Sequence, residues 1–399
     1  MLSDTLKYTT NRSASKNEGI CLQVLPALNG GGVERGTVDL AGHLITNGWH
    51  SIVASSGGPM VTELKRSGAQ HVLLPLATKN PSTIIRNGWR LARLIKELGV
   101  DVVHARSRAP AWSARRAASI QNIPLITTFH GTYSFGILGI KKPYNRVMAS
   151  GDRVIGISHF IRQHILDNYP VEEEKVELIY RGINLDIFQP NNISPVRMIQ
   201  LAKEWRLPDD AAVIFLPGRL TSWKGHNLLL NALTNMLRSE ENDIALRCVI
   251  AGREKKGSSY RRKLEERVTN LGLSGYVKIV DECRDMPAGY MLSDVVVSAS
   301  ERPEAFGRVT AEAQAMGRPV VAPAHGAAAE IIRAGQTGWL FTPGDPISLA
   351  RALRRAISLG QAERQRIATD SISFVDKHFN KHDMCDRTIN VYRKVLSGK

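Results

Sequence analysis

Cysteine is scarce: the 399 residues hold four, Cys21, Cys248, Cys283 and Cys385, far apart and with no C-x-x-C pair. That spacing excludes a disulfide framework and the usual zinc signatures. Cys21 and Cys248 sit inside apolar runs and are expected as small core residues, and a reducing cytoplasm fits. Only 18 prolines and 6% aromatic side chains are present, so the chain is neither fibrous nor a proline-rich disordered segment. No uncharged apolar run reaches the roughly 18–20 residues a membrane-spanning helix needs. Residues 1–19 are polar and lack the apolar centre of a secretory signal. They are expected as a loose tail on a cytoplasmic protein that is neither exported nor integral to a membrane. Acidic side chains are also in short supply, 37 against 53 basic, for a net charge of +16. The first 150 residues carry 18 Lys/Arg against 7 Asp/Glu; the remaining 249 carry 35 against 30. A basic first part suits nucleic acid, anionic lipid or an acidic substrate, with ordinary solubility charge as the plain alternative.

What is present is a chain with 43% hydrophobic residues, enough for two domains. Short apolar runs at 20–25, 51–54, 71–73, 102–104, 125–129 and 154–157 read as strands, with helical patterns at 33–47 and 82–98. The pattern pauses at 187–195, where Pro190, Asn191, Asn192 and Pro195 cluster as a linker. It restarts with strands at 213–216, 246–251, 277–280, 295–298, 319–322 and 339–341. Helices are expected at 224–238, 258–271, 308–316, 347–359, 362–379 and 381–395. Strands alternating with helices predict an α/β chain of two doubly wound parallel sheets, each covered on both faces. Ligands of such sheets sit beyond the carboxyl ends of the strands, so a cleft between two facing domains is expected, with the chemistry in the strand-to-helix loops.

Four loops stand out there. Gly30-Gly31-Gly32 follows the first strand and opens a helix, a place where backbone comes close to a ligand and free N–H groups meet phosphate. Arg35 occupies the third glycine position of G-x-G-x-x-G, so a dinucleotide fingerprint is absent. Gly218-Arg219, with Lys224-Gly225, follows the first strand of the second half. It is not a P-loop, but it sets two cations where a diphosphate would sit. In Glu304-Ala305-Phe306-Gly307-Arg308-Val309-Thr310-Ala311-Glu312, a loop carboxylate and a helical one flank a helix start. The carboxylates suit sugar or ribose hydroxyls, and the amides near Gly307, Arg308 and Val309 suit phosphate. Each of these motifs alone also reads as a tight turn or as solvated charges. Phe129-His130-Gly131-Thr132-Tyr133 ends another strand; a lone histidine there is as often structural as functional. Arg106 and Arg108, after His104, add two cations.

With Arg181-Gly182-Ile183-Asn184, Pro319-Val320-Val321-Ala322 and Gly338-Trp339-Leu340, these motifs occur in a family order over residues 20–396. The chain resembles glycosyltransferase family 4, retaining enzymes of GT-B fold, in which two Rossmann-like domains face a central cleft. The run 302–317 is similar to alphaproteobacterial envelope enzymes, in particular lipopolysaccharide core mannosyltransferases. The resemblance implies a polar tail (1–19), an acceptor-side domain (20–190), a nucleotide-sugar-binding domain (191–380) and a last helix (381–399) crossing back to the first domain. It implies that Arg219 and Lys224 hold the donor diphosphate, that Glu312 holds the ribose, that Glu304 holds hydroxyls of the transferred sugar, and that Gly218, Phe306, Gly307, Arg308 and Val309 also bind the nucleotide sugar, with His130, Glu304, Arg219 and Lys224 as the catalytic set. Gly31 and Gly32 would close on the phosphates, and His130 would stand by the sugar. Arg106, Arg108 and Tyr133 are assigned to the acceptor side. Two departures from the family pattern, Asp281-Glu282-Cys283 and Ala327, fall near the expected base and sugar pockets.

The resemblance thus implies retaining hexosyl transfer from a nucleoside-diphosphate sugar to a cell-envelope glycan or lipid-linked acceptor, with mannose in lipopolysaccharide core synthesis as the lean. No D-x-D pair occurs, so no cofactor and no strict metal requirement are expected. The basic helix at 82–98 (Arg86, Arg90, Arg93, Lys96, Trp89) and the loop 133–142 suggest an anionic membrane surface as partner and a peripheral location at the inner face of the cytoplasmic membrane. Competing readings are a UDP-sugar transferase of other envelope polysaccharides, a nucleotide-sugar epimerase or phosphorylase on the same fold, and a basic nucleic-acid-binding protein. The last leaves Glu304 and Glu312 without a purpose.

Overall fold

A computed structural model of the chain describes residues 18–136, 139–238 and 245–398. Most of the expected tail, Ile137 and Leu138 of the loop 133–142, and Lys399 lie outside the described residues. The first part of the chain runs β1 (Gly19–Val24), α1 (Gly32–Thr46), β2 (Trp49–Ser55), α2 (Val61–Arg66), β3 (Gln70–Leu73), α3 (Pro81–Leu98), β4 (Val102–Ala105), α4 (Arg108–Gln121), β5 (Leu125–Phe129), α5 (Lys142–Asn145), β6 (Arg153–Gly156), α6 (His159–Asn168) and β7 (Val176–Leu178). Its sheet has the order β3-β2-β1-β4-β5-β6-β7. After α7 (Pro195–Trp205) come β8 (Ala212–Pro217), α8 (His226–Leu237), β9 (Leu246–Ala251), α9 (Tyr260–Asn270), β10 (Val277–Val280), α10 (Met286–Leu292), β11 (Val295–Val297), α11 (Arg308–Ala315), β12 (Val320–Pro323), α12 (Ala328–Ile331), β13 (Gly338–Phe341), α13 (Pro346–Ile357), α14 (Gln361–Phe379) and α15 (Lys381–Ser397). The second sheet has the order β10-β9-β8-β11-β12-β13.

β8 shows why such a run becomes a central strand. Successive side chains point to opposite faces. Ile214 and Leu216 pack with Leu229, Leu233 and Leu353 of α8 and α13, while Val213 and Phe215 pack with Trp205 of α7 and Tyr290 of α10. A strand buried on both faces must be apolar throughout. Helix ends follow local chemistry. Asn80 caps α3 by accepting the Ser82 amide at 3.0 Å, Pro81 takes the first position, and Gly99 closes it at a φ of +64°.

By internal contacts the chain divides into two compact units. One takes the described chain up to Thr128, Ser134–Val154 and the stretch from Thr388 onward; the other takes Phe129–Tyr133 and Ile155–Arg387. Within the first, Tyr392 of α15 donates to or accepts from His104 Nδ1 at 2.6 Å, and His104 Nε2 meets Thr128 Oγ1 at 2.7 Å. Burial, aided by the Arg106 charge, holds this imidazole well below the usual histidine range, so it is neutral and bridges the two hydroxyls with one donor and one acceptor. All four cysteines are buried and none is in a disulfide, and burial pushes the Cys21 and Cys248 thiols up to about 12. Among the described residues no helix is long and apolar enough to cross a membrane.

Candidate active site

In the second sheet the strand order reverses between β8 and β11, which pair in parallel with Val295 opposite Ile214. Their carboxyl ends are therefore neighbours, and the loops leaving them meet at the switch point where such sheets bind ligands. The β8 loop carries Arg219 and Lys224, and the β11 loop carries Glu304. Gly225, at a φ of +71°, lets the two loops touch: a Cβ there would lie 1.8 Å from the Ala299 carbonyl oxygen.

Lys224 Nζ donates to Glu304 Oε1 at 2.7 Å. Ser298 and Ser300 hydroxyls donate to the same oxygen, and Oε2 takes none of these bonds. Burial works to raise this carboxyl, but the Lys224 charge and these hydrogen bonds outweigh it and hold Glu304 below the usual carboxylate range. The Lys224 ammonium also lies 4.6 Å from the Trp223 ring centre. Arg219 is exposed at the end of β8, and its guanidinium makes no hydrogen bond or ion pair among the described residues.

Gly307 starts α11 at a φ of +89°, and Phe306 beside it is buried. Glu304, Gly307, Thr310, Ser298 and His325 line one small pocket, so the α11 amides from Arg308 and Val309 onward begin at its wall. Glu312, one turn into α11, is 7% exposed. Its Oε2 accepts from the Tyr290 hydroxyl at 2.9 Å and its Oε1 from Arg308 at 2.6 Å. Glu304 is thus placed at the pocket wall, whereas Glu312 is enclosed with partners on both oxygens.

His130 forms a separate cluster. Its Nδ1 accepts from the buried Arg181 at 3.1 Å, and Tyr133 packs on Phe129 with ring centres 5.2 Å apart. In the other unit, Gly31 precedes the first turn of α1, which opens at Gly32. Arg106 is buried and donates to Gln23 at 2.9 Å. Arg108 starts α4 and donates to Asn145 at 2.8 Å. Gly218, at the end of β8, is close-packed: a Cβ on Gly252 would lie 1.7 Å from the Gly218 oxygen.

Sequence reasoning passed over Ser298, Ser300, Tyr290 and His325. The two serines carried a readable signal, being hydroxyls on the same short loop as Glu304. Tyr290 carried none, because its bond to Glu312 joins residues 22 apart on different helices.

The pattern known as Glycosyltransferase Family 4 matches residues 30–187, and that of Glycosyl transferases group 1 matches residues 198–372. A glycosyltransferase from Rickettsia africae, known from a crystal structure, is 34% identical with a TM-score of 0.88, covering 96% of this chain and all of that one. The chain belongs to glycosyltransferase family 4. Its two parallel sheets are those of the GT-B fold. Among other relatives of this glycosyltransferase, a D-inositol 3-phosphate glycosyltransferase from Nocardioides is 27% identical over 74% of this chain and 67% of its own length. The Anabaena protein HepE, solved with UDP-glucose, shares the fold at 22% identity and a TM-score of 0.80, covering 96% of this chain and all of that one. The narrower likeness to lipopolysaccharide core mannosyltransferases is not what the inositol-phosphate relatives carry.

Proposed function

We propose that this glycosyltransferase moves a hexose from a nucleoside-diphosphate sugar, with retention, to a cell-envelope glycan or lipid-linked acceptor. The observation that carries the reading is the 2.7 Å contact of Lys224 with Glu304 at the β8/β11 switch point. It brings a phosphate-binding cation and a hydroxyl-binding carboxylate within reach of one ligand. HepE, solved with UDP-glucose, supports a nucleotide-sugar donor.

On this reading Arg219, Lys224 and the α11 amides stabilise the charge that develops on the departing diphosphate. Fixed cations serve where a metal ion would otherwise bridge the phosphates, so activity should survive EDTA. Glu304, held ionised, accepts sugar hydroxyls and is poorly suited to donate a proton to the leaving group. The acceptor hydroxyl attacks from the leaving-group side and gives its proton to a donor phosphate oxygen. Glu312 takes the ribose by releasing the partly exposed Arg308. His130 stands by the sugar, and Gly31 and Gly32 close on the phosphates. A membrane partner is supported by α3, where Trp89 and Ile85 are 54% and 50% exposed beside Arg86, Arg90 and Arg93.

Thermal unfolding with UDP, GDP, ADP and dTDP tests the donor site. A ligand at about 100 times its dissociation constant stabilises by roughly 2.7 kcal/mol, and the Arg219→Ala/Lys224→Ala double variant should lose that gain. The stabilising nucleotide then selects the donor for transfer assays. The acceptors to try are inositol 3-phosphate, after the curated relatives, and a lipopolysaccharide core, after the sequence resemblance. A new glycoside supports transfer; a free epimer or a sugar phosphate would refute it in favour of an epimerase or phosphorylase. No gain with any nucleotide would refute the donor site.

A further inference from the structure

A groove between α3 and α4 has no role in the reading above, and all of its lining lies in the unit that begins at β1. It holds about 600 Å³, within the range of roughly 300–1,000 Å³ usual for sites of small ligands. Gly88 brings the two helices together, for a Cβ there would meet the Arg116 Cδ at 2.7 Å. Arg116 thereby lies across α3, its guanidinium 4.7 Å from the Trp89 ring centre.

The groove is lined by two kinds of side chain. Ile84 and Ile85 of α3, Trp112 of α4 and Tyr144 of α5 are apolar. The Trp112 and Tyr144 rings stack with centres 6.4 Å apart, and Trp112 Nε1 donates to the Tyr144 carbonyl at 3.1 Å. The one polar atom of the indole is thus satisfied, and what it offers a ligand is carbon. Lys79, Arg115 and Arg116 also line the groove and are exposed. The charged groups of Lys79 and Arg115 make no hydrogen bond or ion pair among the described residues. Nothing acidic offsets them: α4 has no acidic residue, and the one in α3, Glu97, is paired with Arg93.

An apolar groove edged by unpaired cations suits an amphiphile with a hydrocarbon chain and an anionic head. A free phosphate would leave Ile84 and Trp112 wet, and a neutral lipid would leave the cations unmatched. Position selects the source. Ile85 of the lining is 50% exposed, and Trp89, four residues on along the same helix face, is 54% exposed. The groove wall is continuous with the face of α3 that the membrane reading rests on the bilayer, so a bilayer lipid reaches it with least exposure of its chain to water.

We propose that the groove binds one anionic phospholipid of that bilayer, an acyl chain lying along Ile84, Trp112 and Tyr144 and the phosphate paired with Lys79, Arg115 and Arg116. The inference rests on the membrane part of the reading above. It adds a site with one lipid per chain, where charge attraction alone would adsorb the protein on many headgroups.

Monomeric short-chain lipids separate the groove from the surface. Calorimetry with dioctanoyl phosphatidylglycerol, kept below its micelle concentration, should give one site per chain. Glycerol 3-phosphate, the head without chains, and dioctanoyl phosphatidylcholine should each bind about tenfold more weakly or worse. Ser119→Trp, which fills the groove from an exposed position of α4, should weaken phosphatidylglycerol by about tenfold. Arg115→Ala should weaken it by about fivefold, the scale of one cation near an anionic head. A phosphatidylglycerol with a photoreactive diazirine in its acyl chain should label the wild-type peptides that hold Ile84 and Trp112, a readout that needs no variant to fold. Unchanged affinity in a folded Ser119→Trp, several lipids per chain, or label spread over other peptides would overturn the proposal. So would glycerol 3-phosphate binding as tightly as the lipid, which marks an anion site only. Preference for a polyprenyl phosphate would also overturn it, in favour of the lipid anchor of an acceptor. Wild type that sediments with phosphatidylglycerol vesicles but binds no monomeric lipid would overturn the groove alone; wild type that does neither would overturn the membrane reading as well.

Discussion

Three donors converge on a single oxygen of Glu304, and only one of them is charged. Lys224→Ala should therefore leave a largely enclosed carboxylate held by hydroxyls alone. We expect a loss of about 1–3 kcal/mol, read as a lower melting temperature, together with loss of nucleotide-induced stabilisation. Glu304→Gln removes the charge that pairs with Lys224, so it should lose a similar amount of stability, and it should transfer sugar about 100-fold more slowly, since a carboxamide accepts hydroxyls more weakly. The pH dependence follows from the direction of the Glu304 shift. A carboxyl held lower in the folded chain than in the unfolded one contributes stability that is present above the unfolded value, about 4.3, and is lost as pH falls through the lower folded value. The difference in melting temperature between wild type and Lys224→Ala should thus be flat from pH 8 to 6 and shrink below about pH 4. At this scale much was legible in the sequence. Glu304, Lys224 and Gly307 were found because strand ends and helix starts give charged residues a position. His325 was not, because its place beside Glu304 exists only once Gly326 has pressed the loop against the Glu304 backbone.

The elements carrying these residues depend on a few points of backbone contact. Gly225→Ala combines a left-handed φ with a Cβ 1.8 Å from the Ala299 oxygen. It should destabilise by about 3 kcal/mol or more. Gly257 has a similar φ of +80° but nothing within 4 Å of a Cβ, so Gly257→Ala should lose only the backbone strain, about 1–2 kcal/mol. Denaturant titration of both variants separates close packing from conformation. The central strands and the long helices α1, α3, α8, α13 and α14 could be read in advance because large apolar residues recur at a clear period. α4 could not. It buries Ala111, Ala114, Ala117 and Ala118, small residues that let it press on α3, where a Cβ on Gly88 would meet Arg116 at 2.7 Å. A close-packing surface of alanines has no strong hydrophobic signature. β7, three residues long, is too short to show an alternation, and α6, α7 and α10 bury few large side chains each.

For the molecule as a whole, the excess of 18 basic over 7 acidic residues in the first 150 and the exposed Trp89 of α3 make a prediction about surfaces. Co-sedimentation should be strong with phosphatidylglycerol vesicles and weak with phosphatidylcholine. It should fall between 50 and 300 mM salt as the Debye length shortens from about 14 to 6 Å. Binding indifferent to lipid charge and salt would remove the membrane from the proposal. Another consequence concerns how the chain comes into being. The unit that begins at β1 is completed by α15, where Tyr392 reaches the buried His104. Tyr392→Phe should accordingly weaken that unit by about 1–3 kcal/mol, the price of an unsatisfied buried ring nitrogen. On a ribosome that emits the chain from its amino end, the His104 face of the first sheet is therefore left uncovered until α15 has been made. A product stalled or truncated before α15 would expose that face to chaperones and proteases.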